Sequence, residues 1–146
     1  MVRCMSDVRL ALFELFAELG RAPTRDEVAA RARVTVPEVQ ADYERLHDDH
    51  AIVLDTQTRD VWMAHPFSAV PTGYRVRIGD RSWFANCIWD ALGICTLLRH
   101  DGTVDAECAD CGEQQSLSVR DGDLHGDGIA HFLVPAANFW DNIGFT

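Results

Sequence analysis

The sequence has no lysine: all 13 basic side chains are arginine, a bias of the codon usage of a GC-rich genome that carries no functional signal of its own. It also lacks positive charge. Against those 13 arginines stand 23 acidic residues, for a formal net charge of -10, whereas a face that binds nucleic-acid phosphate or an anionic membrane surface needs the opposite sign. No apolar run reaches the roughly 18 residues of a membrane span. The residues before Val8 lack the basic-then-apolar layout of a secretion signal. Internal repeats and low-complexity tracts are missing too. Together these absences imply a cytoplasmic chain in a reducing compartment. There an odd set of cysteines, Cys4, Cys87, Cys95, Cys108 and Cys111, reads as thiols or metal ligands and not as a disulfide framework.

What is present is enough for one large domain or two small ones. With 146 residues, 47% of them apolar, the chain buries a core without needing cross-links. Residues 1–64 read as a winged-helix-like module. Val8, Leu10, Leu12, Phe13, Leu15, Phe16 and Leu19 form an apolar stripe at helical spacing that Gly20 stops. Thr24 with Glu27, and Thr35 with Glu38 and Pro37, are capping boxes opening a second helix (26–32) and a third that runs to about His47. Two short strands, 51–54 and 61–64, flank a polar turn. A DNA-reading third helix needs groove-facing Arg, Lys, Asn or Gln. This one offers Glu38, Asp42, Glu44, Asp48 and Asp49 against Arg45, so a packing module is favoured over a transcriptional regulator.

Residues 65–73, with Pro66 and Pro71, read as a linker in which His65 has no special role. Residues 74–146 then read as a small mixed or antiparallel sheet domain with one prominent helix, giving an α+β fold overall. Tyr74-Arg75-Val76-Arg77-Ile78 alternates as a half-buried strand, followed by a solvated turn at Asp80 and Arg81. A strand is expected over 82–84, a helix over 86–98, a hairpin turn at Asp101-Gly102, and strands over 103–107, 115–119 and 130–134.

Cys87 and Asp90 stand three apart at the start of that helix, a spacing that puts both on one face. A helix N-terminus favours the anionic thiol and lowers its pKa. A thiolate is a soft ligand for soft metals, and a carboxyl one turn on holds and delivers a proton. Alone, the C-x-x-D pattern more often marks a buried cysteine beside a first-turn carboxylate. Cys95 is more than two turns further along, a core position. Cys108 and Cys111 form a C-x-x-C followed by Gly112. A structural zinc site wants four ligands, and neither His125 nor His131 completes a known spacing, so a reduced pair in a hairpin is the favoured reading, ahead of zinc or of a mercury-handling or redox role. Cys4 precedes the first helix and takes no assigned place.

The words around Cys87 narrow this. Trp83-Phe84-Ala85-Asn86-Cys87-Ile88-Trp89-Asp90-Ala91-Leu92-Gly93-Ile94 resembles the organomercurial (alkylmercury) lyase family. So do Phe67-Ser68-Ala69-Val70-Pro71-Thr72, Ile78-Gly79-Asp80-Arg81, Cys108-Ala109-Asp110-Cys111-Gly112-Glu113, His131-Phe132-Leu133-Val134-Pro135-Ala136 and Trp140-Asp141-Asn142-Ile143-Gly144-Phe145-Thr146. The resemblance covers residues 67–146; the first 64 residues match only in helical layout. It implies protonolysis of a carbon–mercury bond to a hydrocarbon and Hg(II), without a cofactor. In that reading Cys87 binds mercury and Asp90 relays the proton. Trp83, Phe84, Trp89 and Trp140 line an apolar pocket, and cellular thiols or a mercuric reductase take the Hg(II). The family's second catalytic cysteine would follow Thr146 directly, so the resemblance implies a chain truncated just before it. A relative that holds a soft metal or organomercurial at Cys87 without turnover is the alternative.

Overall fold

A computed structural model describes residues 6–108 and 110–144; Cys4, Phe145 and Thr146 lie outside the described residues. Helices and an antiparallel sheet make up an α+β architecture. Three helices open it: α1 (Ser6–Leu19), α2 (Arg25–Ala32) and α3 (Val36–Asp48). The stripe on α1 buries Val8, Ala11, Leu12, Leu15 and Phe16, whereas Leu10 and Leu19 are turned to solvent. The cap at Thr24 forms as its sequence requires. The Glu27 N–H donates to Thr24 Oγ1 at 3.2 Å, and the Thr24 N–H to Glu27 Oε2 at 2.7 Å. The acidic residues of α3 are drawn into internal pairs: Asp42 is buried and paired with Arg45, and Glu44 holds Arg59 from the turn that follows β1.

Eight strands follow: β1 (Val53–Leu54), β2 (Val61–Ala64), β3 (Phe67–Ser68), β4 (Tyr74–Ile78), β5 (Arg81–Ala85), then, after helix α4 (Ile88–Leu98), β6 (Gly102–Glu107), β7 (Gln114–Arg120) and β8 (Asp123–His125). They form one sheet in the order β1-β2-β3-β5-β4-β6-β7-β8, with every pairing antiparallel. Among the described residues no helix is long and apolar enough to cross a membrane.

Three details differ from the sequence reading. The segment expected as a linker carries β3, which joins β2 to β5; Phe67 is buried there and stacks on Phe16 of α1 at 5.4 Å. The Asp101-Gly102 pair makes no hairpin. Arg99 ends α4 in the left-handed conformation and Gly102 opens β6, where a Cβ would meet Arg77 O and Cys95 Sγ, each at 2.9 Å. Glycine is there for close packing of helix on sheet, not for turn geometry. The strand expected at 130–134 is absent. The run 130–134 pairs with no strand, and Ile129 and Leu133 stay exposed; a short 3-10 helix follows at Ala136–Asp141.

The helices meet the sheet at β5. Phe16 O, in the last turn of α1, accepts two donors: the Gly20 N–H at 3.2 Å and, in a buried position, the Trp83 indole Nε1–H at 2.8 Å. Gly20, at φ +68°, ends the helix so tightly against β5 that a Cβ would stand 2.7 Å from Ser82 O. Trp83→Phe therefore leaves a buried carbonyl without its indole donor and a gap beside it. The expected loss is about 0.5–1.5 kcal/mol, read as a lower urea midpoint with an unchanged slope; a midpoint equal to the parent's contradicts the pinning role.

Candidate functional site

The backbone leaves β5 at Ala85 and enters α4 at Ile88, and Cys87 is the capping residue between them. Its backbone is extended (φ -151°, ψ 179°), as a helix N-cap requires. Its sulfur takes the place of the usual Ser or Thr oxygen, accepting the Asp90 N–H at 3.4 Å. Asp90, in the first turn, thus grips Cys87 through its own main chain while its carboxyl projects from the same turn.

That carboxyl is the best-connected group of the site. Asn86 Nδ2 donates to Asp90 Oδ2 at 3.0 Å and to Phe67 O at 3.2 Å. His65 Nδ1 lies 3.1 Å from Asp90 Oδ2 and 3.3 Å from Asn86 Nδ2. With Nδ1 protonated, His65 donates to the carboxylate; with Nδ1 bare, it accepts from a protonated Asp90. The contact therefore fits either protonation state of the acid. His65 Nε2 and Asn86 Oδ1 are buried without a hydrogen-bond partner among the described residues. Trp140, on the 3-10 helix, packs edge-on to His65 at 6.2 Å and stacks on His50 at 4.3 Å.

Burial pushes the Cys87 thiol up from its ordinary pKa. The Asp90 and Trp89 N–H groups oppose this, and the Asp90 carboxylate adds to it. This corrects the expectation of a thiol lowered by the helix N-terminus: the N–H groups are in place, but desolvation and a facing carboxylate outweigh them. Beside the Cys87 thiol, on the same turn, stands the Asp90 carboxyl.

The aromatic residues expected around a substrate divide. Trp83 is buried and turned toward α1, so it holds the fold and lines no pocket with Cys87. Phe84 points to the opposite face of β5, where the Arg75 guanidinium lies over its ring at 5.8 Å. Trp89 is 68% exposed on the first turn of α4. Cys95 is buried in the core, as its spacing implied. A groove of about 420 Å³ lined by Arg77, Thr103, Ser118 and Arg120 contains neither Cys87 nor Asp90.

Two contributors escaped the sequence reading. Asn86 stands four residues before Asp90, a spacing that could have flagged it. His65, read as a linker residue, reaches Asp90 only because β2 and β3 turn beside the end of β5, through the pairs Ala64–Phe67 and Phe67–Ala85; no local pattern shows that.

Comparison with known proteins gives a family and a fold. The family model of alkylmercury lyases (MerB) matches residues 67–144, more than half of the chain. Among solved structures, one described as the crystal structure of the mercury-bound form of MerB2 superposes with a TM-score of 0.64 at 25% identity, covering 84% of this chain and 58% of that one. The chain thus spans less than two-thirds of the length of that relative. No curated protein matches.

The electrostatics are testable by alkylation. Iodoacetamide labelling of Cys87, followed peptide by peptide, should rise with pH through a midpoint above that of an ordinary thiol. Asp90→Asn removes the facing negative charge, so thiolate forms more easily and the midpoint should move down. An unmoved or higher midpoint removes Asp90 as a cause.

Proposed function

We propose, on the premise that the chain belongs to the alkylmercury lyase family, that Cys87 and Asp90 carry out protonolysis of a carbon–mercury bond. The observation that carries the reading is the shared first turn of α4: a thiol and a hydrogen-bonded carboxyl group joined by the Asp90 N–H at 3.4 Å from Cys87 Sγ. Mercury of an organomercurial R–Hg–X is a soft acceptor and takes the Cys87 sulfur. X leaves with its electron pair, and the thiol proton passes to the Asp90 carboxylate. A raised thiol pKa helps here, because the proton is still present when substrate arrives. Binding to mercury then makes it acidic.

Asp90 next delivers that proton to the carbon. The carbon–mercury electron pair becomes the new C–H bond, R–H departs, and Hg(II) stays on the Cys87 sulfur. A further thiolate on mercury makes the departing carbon more basic. Cys95, buried in the core, is not placed for this; a thiol from solution can take the part and also carry the Hg(II) away. Asn86 and His65 hold Asp90 Oδ2 in place while the carboxyl takes up and gives away the proton.

Headspace detection of benzene from a phenylmercury salt tests this directly, with excess monothiol present. The parent chain should release benzene. Cys87→Ser should not, because the hydroxyl is a hard, weakly acidic ligand. Asp90→Ala should still bind phenylmercury at Cys87, visible as a mass adduct, but release benzene about 100-fold more slowly or worse, the usual worth of a positioned proton donor. A parent chain that binds phenylmercury at Cys87 and releases nothing is a binding protein, and the lyase reading falls. Equal release from Asp90→Ala and parent takes Asp90 out of the mechanism.

A further inference from the structure

One pair of thiols is left unused by this chemistry. Cys108 and Cys111 lie in the turn that joins β6 to β7, closed by the Cys108 N–H donating to Glu113 O at 2.9 Å and the Gly112 N–H to Cys108 O at 2.8 Å. Neither is in a disulfide; Cys111 is exposed and Cys108 partly so. The two side chains are in hydrogen-bond contact, and the Cys111 and Asp110 N–H groups also point at the Cys108 sulfur, which holds that thiol below its ordinary pKa.

Their place in the sheet ties them to Cys87. β5 and β6 both pair antiparallel with β4, so they run in the same direction on either side of it. Tyr74 at the start of β4 is paired with Ala106 of β6, and continuing the β4–β5 register past Arg75–Phe84 sets Ala85 on its other side. Cys87 comes two residues after Ala85, and Cys108 two residues after Ala106. Both leave the same end of the sheet, separated by the width of β4, about 10 Å from strand spacing alone. The Tyr74 phenol confirms the neighbourhood: raised chiefly by burial, it is raised further by the charges of both Cys87 and Cys108.

The number of ligands selects the ion. Among the described residues no group of three or more His, Cys, Asp or Glu is placed to hold a metal, so the pair falls short of the four ligands of structural zinc. A large, soft ion content with two sulfur ligands fits it. An organomercury ion has one open position and gains from one sulfur; Hg(II) has two and gains from both. We propose that Cys108 and Cys111 form a two-thiolate site for Hg(II), set beside Cys87 to take the inorganic ion and not the organomercurial. The proposal rests on the lyase reading only for the source of the ion.

The step is ligand exchange without redox change. Hg(II) bridging the Cys87 sulfur and a solution thiolate gives up both bonds and forms two new ones, to Cys108 and Cys111. The two thiol protons of the pair pass to Cys87 and to the departing solution thiolate, and mercury remains Hg(II). The second sulfur of the pair acts intramolecularly, with an effective concentration of at least about millimolar, while a solution thiol must be recruited from bulk.

The test uses the full chain with mercuric chloride and a competing monothiol, the bound mercury being counted by native mass spectrometry. Cys87→Ser should keep one Hg(II) on the peptide that carries Cys108 and Cys111. Adding Cys111→Ser should let at least about tenfold less monothiol strip it, the advantage expected of a chelate at that effective concentration. Phenylmercury on the same two variants should be stripped equally easily. Urea midpoints of both variants verify that they are folded. Hg(II) lost from Cys87→Ser as readily as from the double variant overturns the proposal, and so does phenylmercury retention that falls in parallel with Hg(II). Absence of benzene from the parent chain sinks the lyase reading alone, because the mercuric chloride arm still decides for or against the pair.

Discussion

The buried hydrogen bond from Trp83 to Phe16 O is the constraint on which the rest depends. Trp83 makes it from the middle of β5, adding a second donor to a carbonyl that also accepts the Gly20 N–H, and Gly20 lets the strand backbone come up against the helix end. β5 is thereby pinned to the N-terminal helices. β5 is also the strand that runs into Asn86, Cys87 and α4, so the site inherits its position from a contact made four residues upstream of the thiol. The Phe16–Phe67 stack extends the same anchor to β3, next to the turn that carries His65.

At the site itself two electrostatic effects compete. A helix N-terminus stabilises a thiolate, and burial beside a carboxylate disfavours one. Burial wins at Cys87. For an enzyme that must supply a proton to carbon this is the useful outcome. A resting thiolate would bind mercury readily but would leave Asp90 with no proton from that sulfur, whereas a resting thiol brings the nucleophile and the proton together. Cys108 shows the reverse balance: solvent-facing, with main-chain N–H groups and a second thiol directed at it, its thiolate is favoured. The same end of the sheet thus holds thiols of opposite character, one suited to releasing a proton on demand and one to gripping an ion already formed.

Much of this was legible in the chain. The helices α1 to α3, the strands β2 and β4, and the helix after Cys87 announce themselves by periodicity and caps, because each is specified by neighbours within one or two turns. The Cys87–Asp90 pair is legible for the same reason, being one turn of one helix. Less local features escaped. The short β3 carries too few residues to show a period, and 130–134 has the composition of a strand but does not join the sheet. Whether Trp83 faces substrate or α1 depends on which side of β5 the helices pack.

By itself, then, the sequence determined the elements, the family and the pair of residues at the start of α4, since all of these rest on spacings of three or four residues and on words read in order. Only the tertiary structure decided what surrounds them. It brought His65 to the carboxyl of Asp90 across 25 positions, turned Trp83 inward and Phe84 away, and placed Cys108 across Tyr74 from Cys87. It also reversed the sign of the Cys87 shift. A pKa depends on how much water and which charges surround a group in space, and strand order, which sets both, is written in no local stretch of the chain.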